Sequence, residues 1–173
     1  MLKHYLRLNL IIDNEDFKNL AKTVFDYLNS NKSIPKSMQI LDYGCGTAVY
    51  SEILRQRGFN IMAFDVNKLF RDYAKNKFPE LTVLGRLRKA DLMLFIEVAE
   101  HMTDAQILKA LEAISPKFIY FSSTPHKADN DHEWGHVNLK SESEWLDFFG
   151  KLGYVIEDRP NTPTPWAMLL KKI

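Results

Sequence analysis

A short strand that breaks into a glycine turn and restarts as a helix is the tightest constraint in this chain. The segment Ile40-Leu41-Asp42-Tyr43-Gly44-Cys45-Gly46-Thr47 has that form. Its apolar start reads as a buried strand, while Gly44 and Gly46 permit backbone shapes and close approaches that a side chain forbids. Such a turn belongs to sheets whose parallel strands alternate with helices.

The rest of the chain keeps that alternation. Residues 13–31 predict an amphipathic helix, because Phe17, Leu20, Ala21, Val24, Phe25 and Leu28 recur at three- and four-residue spacing, with Asp13 or Asn14 as cap. Strands are expected at 38–43, 60–66, 81–84, 91–96 and 118–122. Between them fall helices at 47–57 with Gly58 as stop, from Asn67 to Pro79, and at 103–114 with Ile107, Leu108, Leu111 and Ile114 on one face. The run 91–96 is almost wholly apolar, as when both sheet faces are covered. Ser141 and Glu144 make a capping-box pattern for a helix through Leu152, stopped by Gly153. Residues 154–157 and 167–171 read as strands joined only by a Pro/Thr-rich turn, so this last pair should be antiparallel.

Composition bounds the partners. At 173 residues and 20.2 kDa a single domain is expected, with 1–37 as a helical lead-in and 38–173 as the core. Basic and acidic residues number 23 and 22, which argues against general nucleic-acid or membrane-surface binding. The single cysteine, Cys45, excludes a disulfide framework and a cysteine-rich zinc site. No apolar run approaches the roughly 20 residues that span a bilayer. The start, MLKHYLRLNLII, lacks an h-region and a small-residue cleavage site, so a soluble, cytoplasmic setting is expected.

The acids around the turn point to a ligand. Asp42 ends the first strand, and Asp65 ends the second, 21 residues past Gly44. An acid about 20 residues beyond a glycine turn is placed to accept the hydroxyls of an adenosine ribose. A dinucleotide turn would carry a third glycine at position 49, which is Val49, and the Gly-Lys-Ser/Thr of a P-loop is absent. Asp42, two residues before the first glycine, would repel a pyrophosphate and suits a cationic ligand.

On these residues the chain resembles the class I S-adenosylmethionine (SAM)-dependent methyltransferases over roughly 38–173. Leu41-Asp42-Tyr43-Gly44-Cys45-Gly46-Thr47 is similar to the family's first motif, and Asp65 to the ribose-binding acid of its second. The resemblance implies an α/β fold: a Rossmann-like, doubly wound, seven-stranded, mostly parallel sheet with an antiparallel last pair. It implies SAM as cofactor. Asp42 would orient waters or the methionine ammonium, Gly44, Cys45 and Gly46 would line the cofactor, Asp65 would bind the ribose, and Val66 would flank the adenine. Ala48 departs from a frequent third glycine. The segment Gly85-Arg86-Leu87-Arg88-Lys89-Ala90 offers no acid for the adenine amino group, a contact that many relatives make there.

The acceptor side should lie where the fourth strand ends, in Glu97-Val98-Ala99-Glu100-His101-Met102, because ligands bind outside the carboxyl ends of strands. This spelling is similar to that of small-molecule methyltransferases of the ubiquinone-pathway group. It is also similar to that of small-RNA 2′-O-methyltransferases, which hold a divalent metal with two Glu, one His and a distant second His. The long loop 123–138 holds His126, His132, Trp134 and His136, and loops of this length are functional or disordered. His101 and His136 are the expected catalytic pair with Glu97, which also borders the cofactor. A histidine can take a proton from an acceptor at neutral pH. No metal is expected; a divalent ion on Glu97, Glu100, His101 and His136 is the alternative.

The blander readings stand beside these. His101 could merely cap a helix, Glu97 could be a solvated strand-end carboxylate, and Glu100 could be an acid favoured by the helix dipole. His126 and His132 read as solvated, Trp134 as either an acceptor platform or a loop anchor, and Cys45 as packing. Arg86, Arg88 and Lys89 read as a solvated turn or a phosphate contact. The expected activity is methyl transfer from SAM to an oxygen or nitrogen of a small molecule such as a sugar or metabolite. Its rivals are a metal-assisted RNA 2′-O-methyltransferase and a non-catalytic SAM-binding domain. A nicotinamide oxidoreductase is disfavoured by Val49 and Asp42.

Overall fold

A computed structural model of the chain describes residues 15–125 and 135–173. The expected caps Asp13 and Asn14, and His126, His132 and Trp134, lie outside the described residues. The elements run α1 (Glu15–Ser30), β1 (Ile40–Tyr43), α2 (Val49–Gln56), β2 (Ile61–Phe64), α3 (Lys68–Lys77), β3 (Thr82–Val83) and β4 (Leu92–Ile96). A 3₁₀ turn (Ala99–His101) then precedes α4 (Asp104–Ile114), β5 (Phe118–Ser122), α5 (Glu142–Gly150), β6 (Tyr154–Asp158) and β7 (Met168–Lys172).

Local chemistry sets the boundaries. Asn67 caps α3 by accepting the Leu69 N–H at 3.0 Å, and Thr103 and Gln106 close a capping box on α4. Ser141 and Glu144 do the same for α5, as expected. That helix stops at Gly150, short of Leu152, and the chain continues through Gly153 at φ 80°. Leu108 is a correction: it is 41% exposed, and the buried face of α4 is Ile107, Ala110, Leu111 and Ile114. That face follows the 3.6-residue period, which carries Leu108 round toward solvent.

The strands form a seven-stranded sheet in the order β3-β2-β1-β4-β5-β7-β6. β1 pairs in parallel with β2 and β4, with Asp42 opposite Ala63 and Leu94. β7 pairs antiparallel with both β5 and β6. No helix intervenes between β3 and β4. Alternate side chains feed two apolar layers. Leu41, Met93, Phe95 and Phe121 meet Ile107 of α4 and Trp145 and Phe149 of α5. Ile40, Leu92, Leu94 and Tyr120 meet Val24 and Leu28 of α1 and Leu54 of α2. Each fully buried side chain of this size stabilises by about 1.5–3 kcal/mol.

Strand order reverses between β1 and β4, since β1 leads to β2 on one side and β4 to β5 on the other. The crevice outside the carboxyl ends of these two strands is where such sheets bind ligands. Asp42 and Glu97 stand at those two ends. Among the described residues no helix is long and apolar enough to cross a membrane.

Candidate functional site

The glycine turn is built from both sides. Gly44 and Gly46 have φ of 77° and 51°, a region costly for residues with a Cβ. The Phe64 carbonyl at the end of β2 accepts the N–H groups of Gly44 and Cys45, at 2.8 and 3.0 Å. A Cβ on Gly44 would fall 2.6 Å from Cγ2 of Val98. Close approach at this glycine is therefore made by the segment after β4. Ala48, also left-handed at φ 61°, starts α2 without a side-chain cap.

Asp42 and Asp65 are both buried at the glycine turn, and the charge of Asp65 reaches Asp42. Asp42 is buried, and its Oδ2 accepts the Ser51 hydroxyl at 2.5 Å. Burial pushes its carboxyl up to about 6, against the Ser51 bond and with the charge of Asp65 adding to the rise. Asp65 is buried too, and burial raises its pKa. Its Oδ2 accepts the Gly46 N–H at 3.0 Å and its Oδ1 the Asn67 N–H at 2.8 Å. Val66 follows with its side chain 74% exposed. Arg71 holds the corner in place by donating to the carbonyls of Asp65 and Val66 at 2.6 and 2.9 Å. Cys45 is buried, and burial drives its thiol well above the usual range, as a packing residue requires.

Across the crevice, Glu97 leaves β4 with φ 52°. Its Oε1 accepts from the Ser122 hydroxyl and from Trp166 Nε1, the latter at 3.4 Å, and its Oε2 accepts from Thr124 at 2.6 Å. Glu100 is fully buried and accepts from Ser123 at 3.0 Å. Burial and the nearby Glu97 raise its pKa. The Glu100 carbonyl accepts the N–H groups of Val137 and Asn138, at 2.8 and 3.0 Å. These bonds draw the chain after β5 back to the end of β4.

His136 thereby reaches His101, with ring centroids 4.9 Å apart. His101 Nδ1 lies 3.3 Å from the Gly135 carbonyl. A carbonyl only accepts, so this bond places the proton on Nδ1 and leaves Nε2 as the acceptor. Burial, ahead of the neighbouring His136, lowers the His101 pKa. One ligand-forming atom from each of Glu100, His101 and His136 lies within 4.8 Å of the others. Glu97, the fourth residue of the alternative metal set, is outside that group.

Ser51, Arg71, Ser122, Thr124 and Trp166 carry no local sequence signal. Each meets its carboxylate or carbonyl through the fold. Arg86 and Arg88, with residues 82–85, line a groove of about 500 Å³ at the β3 edge. Neither arginine has an ion-pair partner among the described residues.

Residues 15–157 match the model of a family described as a methyltransferase domain. The chain is 27% identical over 136 residues to a ubiquinone biosynthesis O-methyltransferase of Rickettsia prowazekii, covering 71% of this chain and 54% of that protein. A protein of the same description from Pelagibacter ubique is 26% identical over 144 residues, with 75% and 58% covered. The chain thus spans about half the length of the curated relatives it matches. Among solved structures, magnesium protoporphyrin IX methyltransferase of Synechocystis PCC 6803 with bound SAH superposes with a TM-score of 0.69 at 15% identity, covering 91% of this chain and 84% of that one. This last likeness is one of fold.

Proposed function

The chain belongs to the methyltransferase-domain family, and on that premise we propose that it transfers a methyl group from SAM to an oxygen of a small-molecule acceptor. The observation that carries this reading is the pair of buried carboxyls, Asp42 and Asp65, set together beside the glycine turn. Two buried acids repel each other, and a ligand with a cation and hydroxyl donors relieves that repulsion. A pyrophosphate would add to it. The curated relatives, by their description, favour oxygen over nitrogen as the methylated atom.

When bound, SAM supplies a methyl group already activated by its positive sulfur. The chain's part is to hold and to deprotonate. Asp42 takes the ammonium side. Asp65 accepts the ribose hydroxyls on lone pairs that Gly46 and Asn67 leave open. Gly44, Cys45 and Gly46 line the cofactor with backbone, and the exposed Val66 side chain flanks the adenine. Glu97, at the tip of β4, separates the donor half from the acceptor half. Holding acceptor and methyl in attack geometry can supply about 7–11 kcal/mol.

His101 is the base. A lowered pKa keeps it neutral near pH 7, and Nε2 takes the acceptor's hydroxyl proton. His136, its ring centroid 4.9 Å away, flanks it as the second histidine of the pair. The test is transfer of labelled methyl from SAM to a panel of phenols and alcohols. Transfer to an oxygen that disappears in His101→Ala supports the reading; undiminished transfer in that variant removes His101 from it.

A second reading is favoured by the convergence of Glu100, His101 and His136. Oxygen and imidazole donors suit Mg, Mn or Zn, and a bound divalent ion would supply acidity to an acceptor hydroxyl. Glu97, occupied by Ser122, Thr124 and Trp166, fits this set poorly. Transfer lost to EDTA and restored by Mn²⁺ would favour this route, and transfer indifferent to chelation the first.

A further inference from the structure

Tyr50 sits in the first turn of α2, between Val49 and Ser51. The Ser51 bond to Asp42 ties that turn to the tip of β1. The Tyr50 ring is half-buried and packs on the apolar layer that includes Leu94, Ile96 and Tyr120. Its hydroxyl has no hydrogen-bond partner among the described residues, yet it is not sealed from solvent. Its ring packs on the layer that holds Leu94 and Ile96 of β4, one residue from the Ser51 bond to Asp42 at the tip of β1, and Asp42 and Glu97 both act on it electrostatically. With burial they hold the phenol well above its ordinary range, and it remains a neutral O–H donor.

The amino-acid end of SAM carries an ammonium and a carboxylate. Asp42 suits the first. The second enters a crevice lined by the acids Asp42, Asp65 and Glu97, which repel it, and it needs an uncommitted donor. Three backbone donors of the turn are spent: those of Gly44 and Cys45 on the Phe64 carbonyl and that of Gly46 on Asp65. The Tyr50 O–H is available. We propose that Tyr50 is a specificity-determining residue whose hydroxyl donates a hydrogen bond to the carboxylate of the cofactor's amino-acid end. The assignment rests on the SAM reading above.

S-adenosylhomocysteine (SAH) and 5′-methylthioadenosine test it, because both carry the adenosine and a thioether sulfur but only the first has the amino-acid end. Each is titrated calorimetrically into the wild-type chain and into Tyr50→Phe, with circular dichroism to verify the fold. Tyr50→Phe is expected to weaken SAH about tenfold or more, the scale of a hydrogen bond to a charged group, and to leave methylthioadenosine within about twofold. Decarboxylated SAM is expected to bind both proteins alike. Unchanged SAH affinity, or an equal loss for both ligands, overturns the assignment. Wild-type protein that binds neither ligand overturns the cofactor reading and takes the Tyr50 assignment with it.

Discussion

Asp65 Oδ2 accepts the backbone N–H of Gly46 at 3.0 Å, so the acid at the end of β2 holds the glycine turn that follows β1. The same carboxylate accepts the Asn67 N–H one corner later. Asp65→Ala leaves two backbone donors unmet. It is expected to cost about 1–3 kcal/mol of stability and to remove SAH binding. Asp65→Asn keeps one carbonyl acceptor and should cost less stability while still losing affinity. Thermal denaturation and calorimetric titration check both. An Ala variant that binds SAH normally would contradict the role.

Asp42 gives a pH dependence of defined sign. Its folded pKa of about 6 lies above the 3.8 of the free group, chiefly through burial. A raised carboxyl pKa favours the fold fully below the unfolded value, and that contribution is lost as pH rises through the folded value. Above about pH 6 the ligand-free protein therefore carries a poorly solvated carboxylate, at a cost on the order of 3 kcal/mol. Asp42→Asn is expected to raise the Tm at pH 8 and to change it little at pH 4. It should also abolish SAH binding, and wild-type affinity should fall as pH drops below about 6. A lower Tm for the variant at pH 8 would contradict this.

Gly44 and Val98 form a testable steric pair. Gly44→Ala places a Cβ at φ 77° and 2.6 Å from Val98 Cγ2. The expected loss is about 2–4 kcal/mol, from backbone strain and overpacking together. Val98→Ala in that background should recover the steric part and leave the strain. Denaturant unfolding of the two single variants and the double variant measures the coupling; strictly additive losses would show that the contact does not matter.

His101 separates chemistry from binding. His101→Ala is expected to lower kcat by about 10²–10⁴ and to leave the SAH Kd unchanged. Parallel loss of SAH affinity would place the ring in the cofactor site instead.

The parts of this fold that repeat along the chain were readable from it. Alternating apolar runs, Asn67, and the Ser141–Glu144 box mark elements locally, and Asp42, Gly44, Gly46 and Asp65 lie within one strand-turn-helix-strand unit. The surroundings of those residues were not readable. Ser51 reaches Asp42 only once α2 folds back on β1, and Ser122, Thr124 and Trp166 meet Glu97 only because β5 lies beside β4 and β7 beside β5. The strand expected over 60–66 ends at Phe64 because Asp65 turns to cap the corner at Asn67. Leu108 shows the converse case, where apolar spacing grouped it with the buried Ile107, Leu111 and Ile114 but α4 turns it toward solvent.

Calorimetric titration of SAH into the chain at pH 7.5, beside an identical titration of NAD, tests the pairing of Asp42 and Asp65 at the glycine turn most directly. One saturable SAH site that vanishes in Asp65→Ala, with no heat from NAD, is the expected result. Saturable NAD binding with no SAH site would contradict it.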